Sequence, residues 1–450
     1  MSKHITITTA IPYVNGPPHL GFALELVQAD VLARHARARG DAVYFLTGTD
    51  ENALKNVDAA AAAGVPVEAL VARNAARFAY LRAALGISAD DVIRTSVDPR
   101  HRPGVELLWR ACTASGDLYE REYAGLYCTG CEAFGDGQCD EHPGAVEQVA
   151  ERNWFFRLSR YRDAVLDLVE SRRLRIEPER RRNEVLALLR GGLEDISVSR
   201  PAARARGWGI PVPGDPSQVV YVWFDALANY FTADPARWRS ADERLHVIGK
   251  GIIRFHAVYW PAILLSAGEP LPTTLWVHEY VTTAGSKVSK SAAGGDDPFS
   301  LLTAYGADAV RWALLRDGPH TRDADVGAAA VAGRANELAR QVGNLVSRTL
   351  ALGPEYSLPV ELSLDDALGR FDFRAAADAV AEVAEDANRL ASRERPWERD
   401  APHVVAALLG ACEAVGRGLE PLLPAAAARI RSALAERDRT AARTLFRKAA

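Results

Sequence analysis

Residues 4–9, His-Ile-Thr-Ile-Thr-Thr, alternate with β-branched content, the period-two signature of a strand. A run of turn formers follows, Pro12-Tyr13-Val14-Asn15-Gly16-Pro17-Pro18. From residue 23 to residue 39 the apolar positions change to helical spacing, with Leu24, Val27, Val31, Leu32 and His35 on one side, and Gly40 stops the helix. Residues 42–47 form a continuous apolar run, which predicts a strand buried on both faces, as in a parallel sheet. The chain therefore opens with a βαβ unit. Between about residues 98 and 221 a stretch rich in Cys and Gly, then an Arg-rich one at 172–182, interrupts the pattern like an insertion. Strand-like runs resume at 219–224 and 245–248. From about residue 336 onward Ala, Leu, Glu and Arg recur in heptad-like spacing, predicting a helical tail broken at Pro354, Pro396 and Pro424.

With 450 residues, 48% hydrophobic and 25% charged, the chain has room for two to four globular domains. No apolar run reaches membrane-span length, the C-terminal ones being broken by Glu413, Arg417 and Pro421. The first ten residues lack a secretory pattern, so a cytoplasmic location is expected. A net charge of −4 argues against a generally basic nucleic-acid binder but leaves room for one local basic face. Lys is scarce, yet two of the six fall in Gly-Ser-Lys-Val-Ser-Lys-Ser, residues 285–291. Five Cys are too few for a disulfide scaffold. Cys112 and Cys412 read as small apolar residues, whereas Cys128, Cys131 and Cys139 crowd together.

Three segments carry chemistry. His19-Leu20-Gly21 joins the first strand to its helix, where backbone N–H groups favour an anion and Gly21 allows close approach; a simple capped turn is the plainer alternative. Lys287 and Lys290 put two compact charges beside small hydroxyl residues, suited to a phosphate chain, although a solvated loop would also look this way. Cys128-x2-Cys131-x7-Cys139-x2-His142 has the two-pair spacing of a zinc knuckle. Four protein ligands leave no open position, so the expected Zn²⁺ is structural, one per chain. His142 is the least regular of the four, and loosely grouped thiols are the alternative.

Taken with their surroundings, these segments resemble class I aminoacyl-tRNA synthetases, and nearly the whole chain is similar to methionyl-tRNA synthetases. The likeness is carried by TTAIPYVNGPPHLG, YFLTGTDEN, GLYCTGCEAF, YVWFDALANY, IIRFHAVYWPAILLSAG, VHEYVTTAGSKVSKS, YGADAVRWALLR and NELARQVGNLVSRTL. It implies a Rossmann-like parallel α/β domain in two halves (residues 1–97 and 222–280), split by a zinc-bearing connective insertion (98–221). A linking region with the KVSKS loop (281–335) and an α-helical anticodon-binding domain (336–450) would follow. It further implies that methionine's carboxylate attacks the α-phosphate of ATP, that Mg²⁺ accompanies the ATP, and that the acyl group then passes to the 3′ end of tRNA(Met). By the same likeness His19, Lys287 and Lys290 face the reacting phosphates, with Gly21 in the ATP-binding turn. Asp50 holds the substrate ammonium, Ile11, Tyr13, Trp223, Tyr230 and His256 surround the rest of the amino acid, and Asn344, Arg348 and Trp397 read the anticodon. A monomer is expected.

The chain departs from the family at Phe22, where a second His is usual, at Asn52, where His commonly follows Thr-Asp-Glu, at Gly251, where an acid is usual, and at Val288. Phe22 removes one donor from the phosphate site. Two other readings therefore stand beside methionine–tRNA ligase: a synthetase-derived ligase with a tRNA-independent acceptor, and a catalytically weak tRNA-binding paralogue.

Overall fold

The structure, a computed structural model, describes residues 2–128, 133–135, 146–283, 286–287 and 297–447. His4–Thr9 forms the expected opening strand, parallel to Ala42–Thr49 on one side and Glu243–Gly249 on the other. Asp91–Arg94 extends the first side, again parallel, while Thr274–His278 and Arg175–Glu177 complete a sheet of six strands. Both faces of the opening strand are covered: Thr6, Ile7, Thr8 and Thr9 are all buried. Thr8 and Thr9 stay satisfied there because Thr8 Oγ1 meets His246 Nδ1 at 2.6 Å and Thr9 Oγ1 meets Thr47 Oγ1 at 2.7 Å. The chain winds outward from His4–Thr9 through Ala42–Thr49 to Asp91–Arg94, then returns to Glu243–Gly249 on the opposite side. The carboxyl ends of strands flanking such a reversal form a crevice for ligands.

Two contact-dense units make up the chain, one from Met1–Pro17, Asp41–Phe78 and Ala89–Val277, the other from Pro18–Gly40, Ala79–Ser88 and His278–Ala450. In the first, the inserted stretch supplies an antiparallel sheet ordered Ala133–Gly135, Leu118–Cys128, Val146–Phe156 and Ile196–Ser197. The Arg-rich segment is no bare basic stripe, since Arg172 and Arg182 pair with Glu179, Arg175 with Glu177, and Arg181 with Glu184. One sequence expectation needs correction. Residues 219–224 are not a single strand: Asp215–Val220 ends there and the helix Val222–Thr232 begins. That helix buries ten of its eleven residues, so its apolar run lacks the one-sided period that separates helix from strand.

In the second unit the helix Leu20–Ala38 packs on Pro298–Arg316 and Pro402–Leu422. It starts earlier than the apolar spacing suggests because His19 caps it. Asp30 and Arg311, 0% and 1% exposed, form an ion pair at 2.8 Å. Arg311 also donates to the carbonyls of Leu85, Pro421 and Leu422, the last two being carbonyls that the end of Pro402–Leu422 leaves without helical partners. Burial disfavours the Asp30 carboxylate, but Arg311, Arg34 and Ser88 more than offset it and hold its pKa below the usual range. Phe373–Glu394 buries a stripe of alanines (Ala376, Ala377, Ala384, Ala387, Ala391) and packs against Pro402–Leu422. Pro424 occupies the first turn of Pro424–Glu436, where a missing N–H is harmless. Cys112 and Cys412 are buried as expected, and burial pushes both thiols up to about 12. Among the described residues no helix is long and apolar enough to cross a membrane.

Candidate active site

Three strands of the first unit deliver their following residues to one place. After Thr9 the chain reaches Ile11 and Tyr13; after Thr49 it reaches Asp50, which pairs with Tyr13 through a parallel bridge and through Asp50 N–H to the Pro12 carbonyl, 3.0 Å. After Gly249 it enters a π-helical turn, Phe255–Tyr259, that carries His256; such turns recur at functional sites. The fourth contributor is the helix Val222–Thr232 with Trp223 and Tyr230. The Tyr13 and Trp223 rings meet edge-on at 6.4 Å, Trp223 stacks on Phe255 at 3.6 Å, and it stands edge-on to His256 at 6.4 Å. Asp50 is buried at 2% exposure. The structure thus gathers Tyr13, Asp50, Trp223 and His256, with Tyr230 bonded to His256, and Ile11 two residues before Tyr13.

The histidine chemistry follows from the partners. His256 Nδ1 lies 2.9 Å from the Ile252 carbonyl, which can only accept, so Nδ1 carries the hydrogen. Burial lowers the His256 pKa to about 4, leaving Nε2 as an acceptor for the Tyr230 hydroxyl at 2.7 Å. His246 sits behind Tyr230, ring centroids 4.3 Å apart, and burial, then His256, hold its pKa well below the usual histidine range. A neutral, aromatic wall of this kind suits an uncharged, polarizable side chain. The indole N–H groups of Trp223 and Trp260 have no acceptor among the described residues.

A pH effect arises here. An unfolded histidine titrates near 6.5 and folded His256 near 4, so between these values only the unfolded chain takes up the proton. Stability is full above pH 6.5 and falls by roughly 3 kcal/mol as pH drops toward 4. Urea midpoints at pH 7.5 and 4.5 should show His256→Gln losing less on acidification than the parent; equal losses would remove this assignment.

The second unit holds the His19-Leu20-Gly21 turn. His19 caps Leu20–Ala38, its Nδ1 accepting the Phe22 N–H at 3.3 Å, so the ring hydrogen belongs on Nε2. A Cβ at position 21 would stand 3.0 Å from His19 Cε1 and Nδ1, close enough to push that ring aside by a few tenths of an ångström. No acidic residue lies in the helix's first turn, as an anion site requires. The Phe22 side chain is buried, at 7% exposure, and its N–H serves the cap. Lys287 ends the strand Ser286–Lys287, in register with Thr282 of Val281–Thr283; Lys290 lies outside the described residues. In the helical tail Asn344 and Arg348 share one face a turn apart on Asn344–Ala351. The Arg348 guanidinium lies over the Trp397 ring at 4.7 Å, and Trp397 is 47% exposed. Cys128 is buried where Leu118–Cys128 ends, in register with Val146 and Ala133. Cys131, Cys139 and His142 lie outside the described residues, and the described ones alone contain no group of three metal ligands.

Phe255 and His246, which the structure sets against Trp223 and Tyr230, were not singled out in the sequence; Phe255 was legible only as part of IIRFHAVYWPAILLSAG.

A parallel sheet reversing at its first strand, followed by a His-capped helix, is the frame of a class I aminoacyl-tRNA synthetase. The model of class I tRNA synthetases (M) matches residues 5–141 and 136–350. The chain is 38% identical to the methionine–tRNA ligase of Brucella melitensis over 95% of its length and 91% of that protein. It is 44% identical to the one from Rhizobium meliloti over 77% of its length and 70% of that protein. The structure of Mycobacterium tuberculosis methionyl-tRNA synthetase bound by methionyl-adenylate matches it with a TM-score of 0.88 at 35% identity, covering 99% of this chain and 97% of that one. The chain belongs to the methionyl-tRNA synthetase family.

Proposed function

We infer that the chain is an ATP-dependent methionine–tRNA ligase, forming methionyl-adenylate and passing the acyl group to tRNA(Met). The observation that carries this is the cluster of Tyr13, Asp50, Trp223, Tyr230 and His256: one buried carboxylate for an ammonium, and a neutral aromatic wall for a thioether. The amino-acid carboxylate is the nucleophile, so the protein supplies position and charge stabilisation rather than a covalent intermediate. His19 directs its Nε2–H to a phosphate oxygen, Gly21 lets the turn approach, and Lys287 and Lys290 balance the developing charge. Mg²⁺ bound with ATP would offset further phosphate charge.

The remaining parts of the reading follow from donor chemistry. Leu118–Cys128 and Val146–Phe156 are adjacent antiparallel strands, so the segment joining them starts and ends close together. Cys131, Cys139 and His142 all fall in that segment of the sequence, and with Cys128 the donor set suits a closed, structural Zn²⁺ site. Metal analysis should return about one zinc per chain, reduced in Cys131→Ala; a folded, zinc-free parent would contradict it. Residues 336–450 would be the anticodon-binding domain, with Asn344 for a base edge and the Arg348–Trp397 pair for stacking. The reading carries with it a monomer in the cytoplasm.

Trp397→Ala tests the acceptor. A stacking surface is worth roughly 1–3 kcal/mol per base, so aminoacylation of tRNA(Met) should weaken about ten- to a hundredfold while tRNA-free pyrophosphate exchange stays near the parent rate. Unchanged aminoacylation would free Trp397 from any role in tRNA. A parent that activates methionine but charges no tRNA would favour the tRNA-independent ligase.

A further inference from the structure

The carboxylate assigned to the substrate ammonium does not stand alone. Asp50 Oδ1 accepts the Asn52 N–H at 3.3 Å. The Asn52 side chain is anchored in turn: its Nδ2 donates to Asp225 Oδ2 at 2.7 Å and to the Thr95 carbonyl at 3.3 Å. Asp225, 1% exposed and on the same helix as Trp223 and Tyr230, meets His101 Nε2 through its other oxygen at 2.5 Å, and His101 Nδ1 meets Thr232 Oγ1 at 2.8 Å. Thr232 belongs to that helix as well. Between Asp50 and Asn52, Glu51 is fully buried and is held by Arg94 at 2.6 Å, by Thr49 at 2.9 Å and by Ser96.

The approach that makes this possible is built in. A Cβ at Gly104, on the helix His101–Ala114, would fall 2.7 Å from Thr232 Cβ. Only without that carbon can the helix lie close enough to Val222–Thr232 for His101 to reach Asp225.

We propose that Asn52, Asp225 and His101 form a positioning relay that couples the aromatic wall to the ammonium-binding carboxylate, and so set the affinity for the amino acid. Asn52 and Asp225 act through Asp50 and touch no reacting atom. Asn52 holds Asp50 by its backbone N–H, and its own orientation is fixed by Asp225. The helix that presents Trp223 and Tyr230 to the side chain thereby also fixes the group that takes the ammonium. This rests on the functional reading above, in which Asp50 receives the ammonium.

A charge exchange tests it by amino-acid-dependent pyrophosphate exchange. Asn52→Asp sets two carboxylates against each other, and the methionine KM should rise about tenfold or more with the ATP KM nearly unchanged. Combining Asn52→Asp with Asp225→Asn reverses the hydrogen bond: the new amide donates to position 52 while its oxygen still faces His101, and only the longer bond to the Thr95 carbonyl is lost. The double variant should return the methionine KM to within about threefold of the parent. A methionine KM that Asn52→Asp leaves unchanged overturns the proposal. So does a rise in both substrates' KM with a matching loss of melting temperature that the double variant does not repair, since this marks a packing role. A parent inactive with every amino acid would instead overturn the functional reading on which the proposal rests.

Discussion

Arg311→Ala is expected to destabilise the second unit by roughly 3–5 kcal/mol, because it strips one partner from a buried pair and leaves the other charged. Asp30 would keep Arg34 at 2.9 Å and Ser88 at 2.7 Å, but it would lose the guanidinium that is buried with it. The carbonyls of Leu85, Pro421 and Leu422 would lose their donor as well, and unsatisfied buried acceptors add to the deficit. Because the pair ties Leu20–Ala38 to the helices Pro298–Arg316 and Pro402–Leu422, the loss should spread through all three. Urea unfolding should show a midpoint shift far larger than for Arg370→Ala, whose ion pair with Asp366 is exposed and worth about 1 kcal/mol at most. Equal shifts would mean that the buried pair contributes no more than a surface one.

Asp50→Ala is the substitution with the largest expected effect on activity. Its carboxylate is buried and anchored by Asn52, and its backbone pairs with Tyr13. Removing one partner of a buried charge pair costs roughly 2–5 kcal/mol, which corresponds to about thirtyfold to several-thousandfold in kcat/KM for methionine. The ATP KM should change little, and the melting temperature should fall only slightly. A kcat/KM within about threefold of the parent would assign the ammonium to another group.

These effects show what the sequence could and could not disclose. Strand and helix periods exposed the opening βαβ unit, because residues 4–9 alternate and Leu24, Val27, Val31 and Leu32 keep helical spacing. The helix Val222–Thr232 escaped because it is buried all round and so has no period to read. Asp225 escaped for a related reason: a polar residue inside an apolar run shows its purpose only when its partners are known, and Asn52 and His101 lie far along the chain. Arg311 looked like an ordinary basic residue in YGADAVRWALLR until Asp30 stood beside it. The pocket residues became legible through the long ordered motifs, whereas the isolated His-Leu-Gly turn was equally a simple cap. The structure adds that a side chain at position 21 would crowd the His19 ring.

The departure at Phe22 bears on rate more than on fold. Its N–H completes the cap of Leu20–Ala38 as any residue's would, while under the proposed function an imidazole there would be a further donor to phosphate. Loss of one transition-state donor is worth roughly 3 kcal/mol, so activity is expected to be present but lower than a second histidine would give.

The central claim is tested most directly by ATP–pyrophosphate exchange on the purified parent chain with a panel of amino acids, with and without tRNA. The account predicts exchange that depends on methionine, exceeds that with leucine, isoleucine and norleucine, and proceeds without tRNA. Exchange that prefers a different amino acid, or none with any of them, would contradict it.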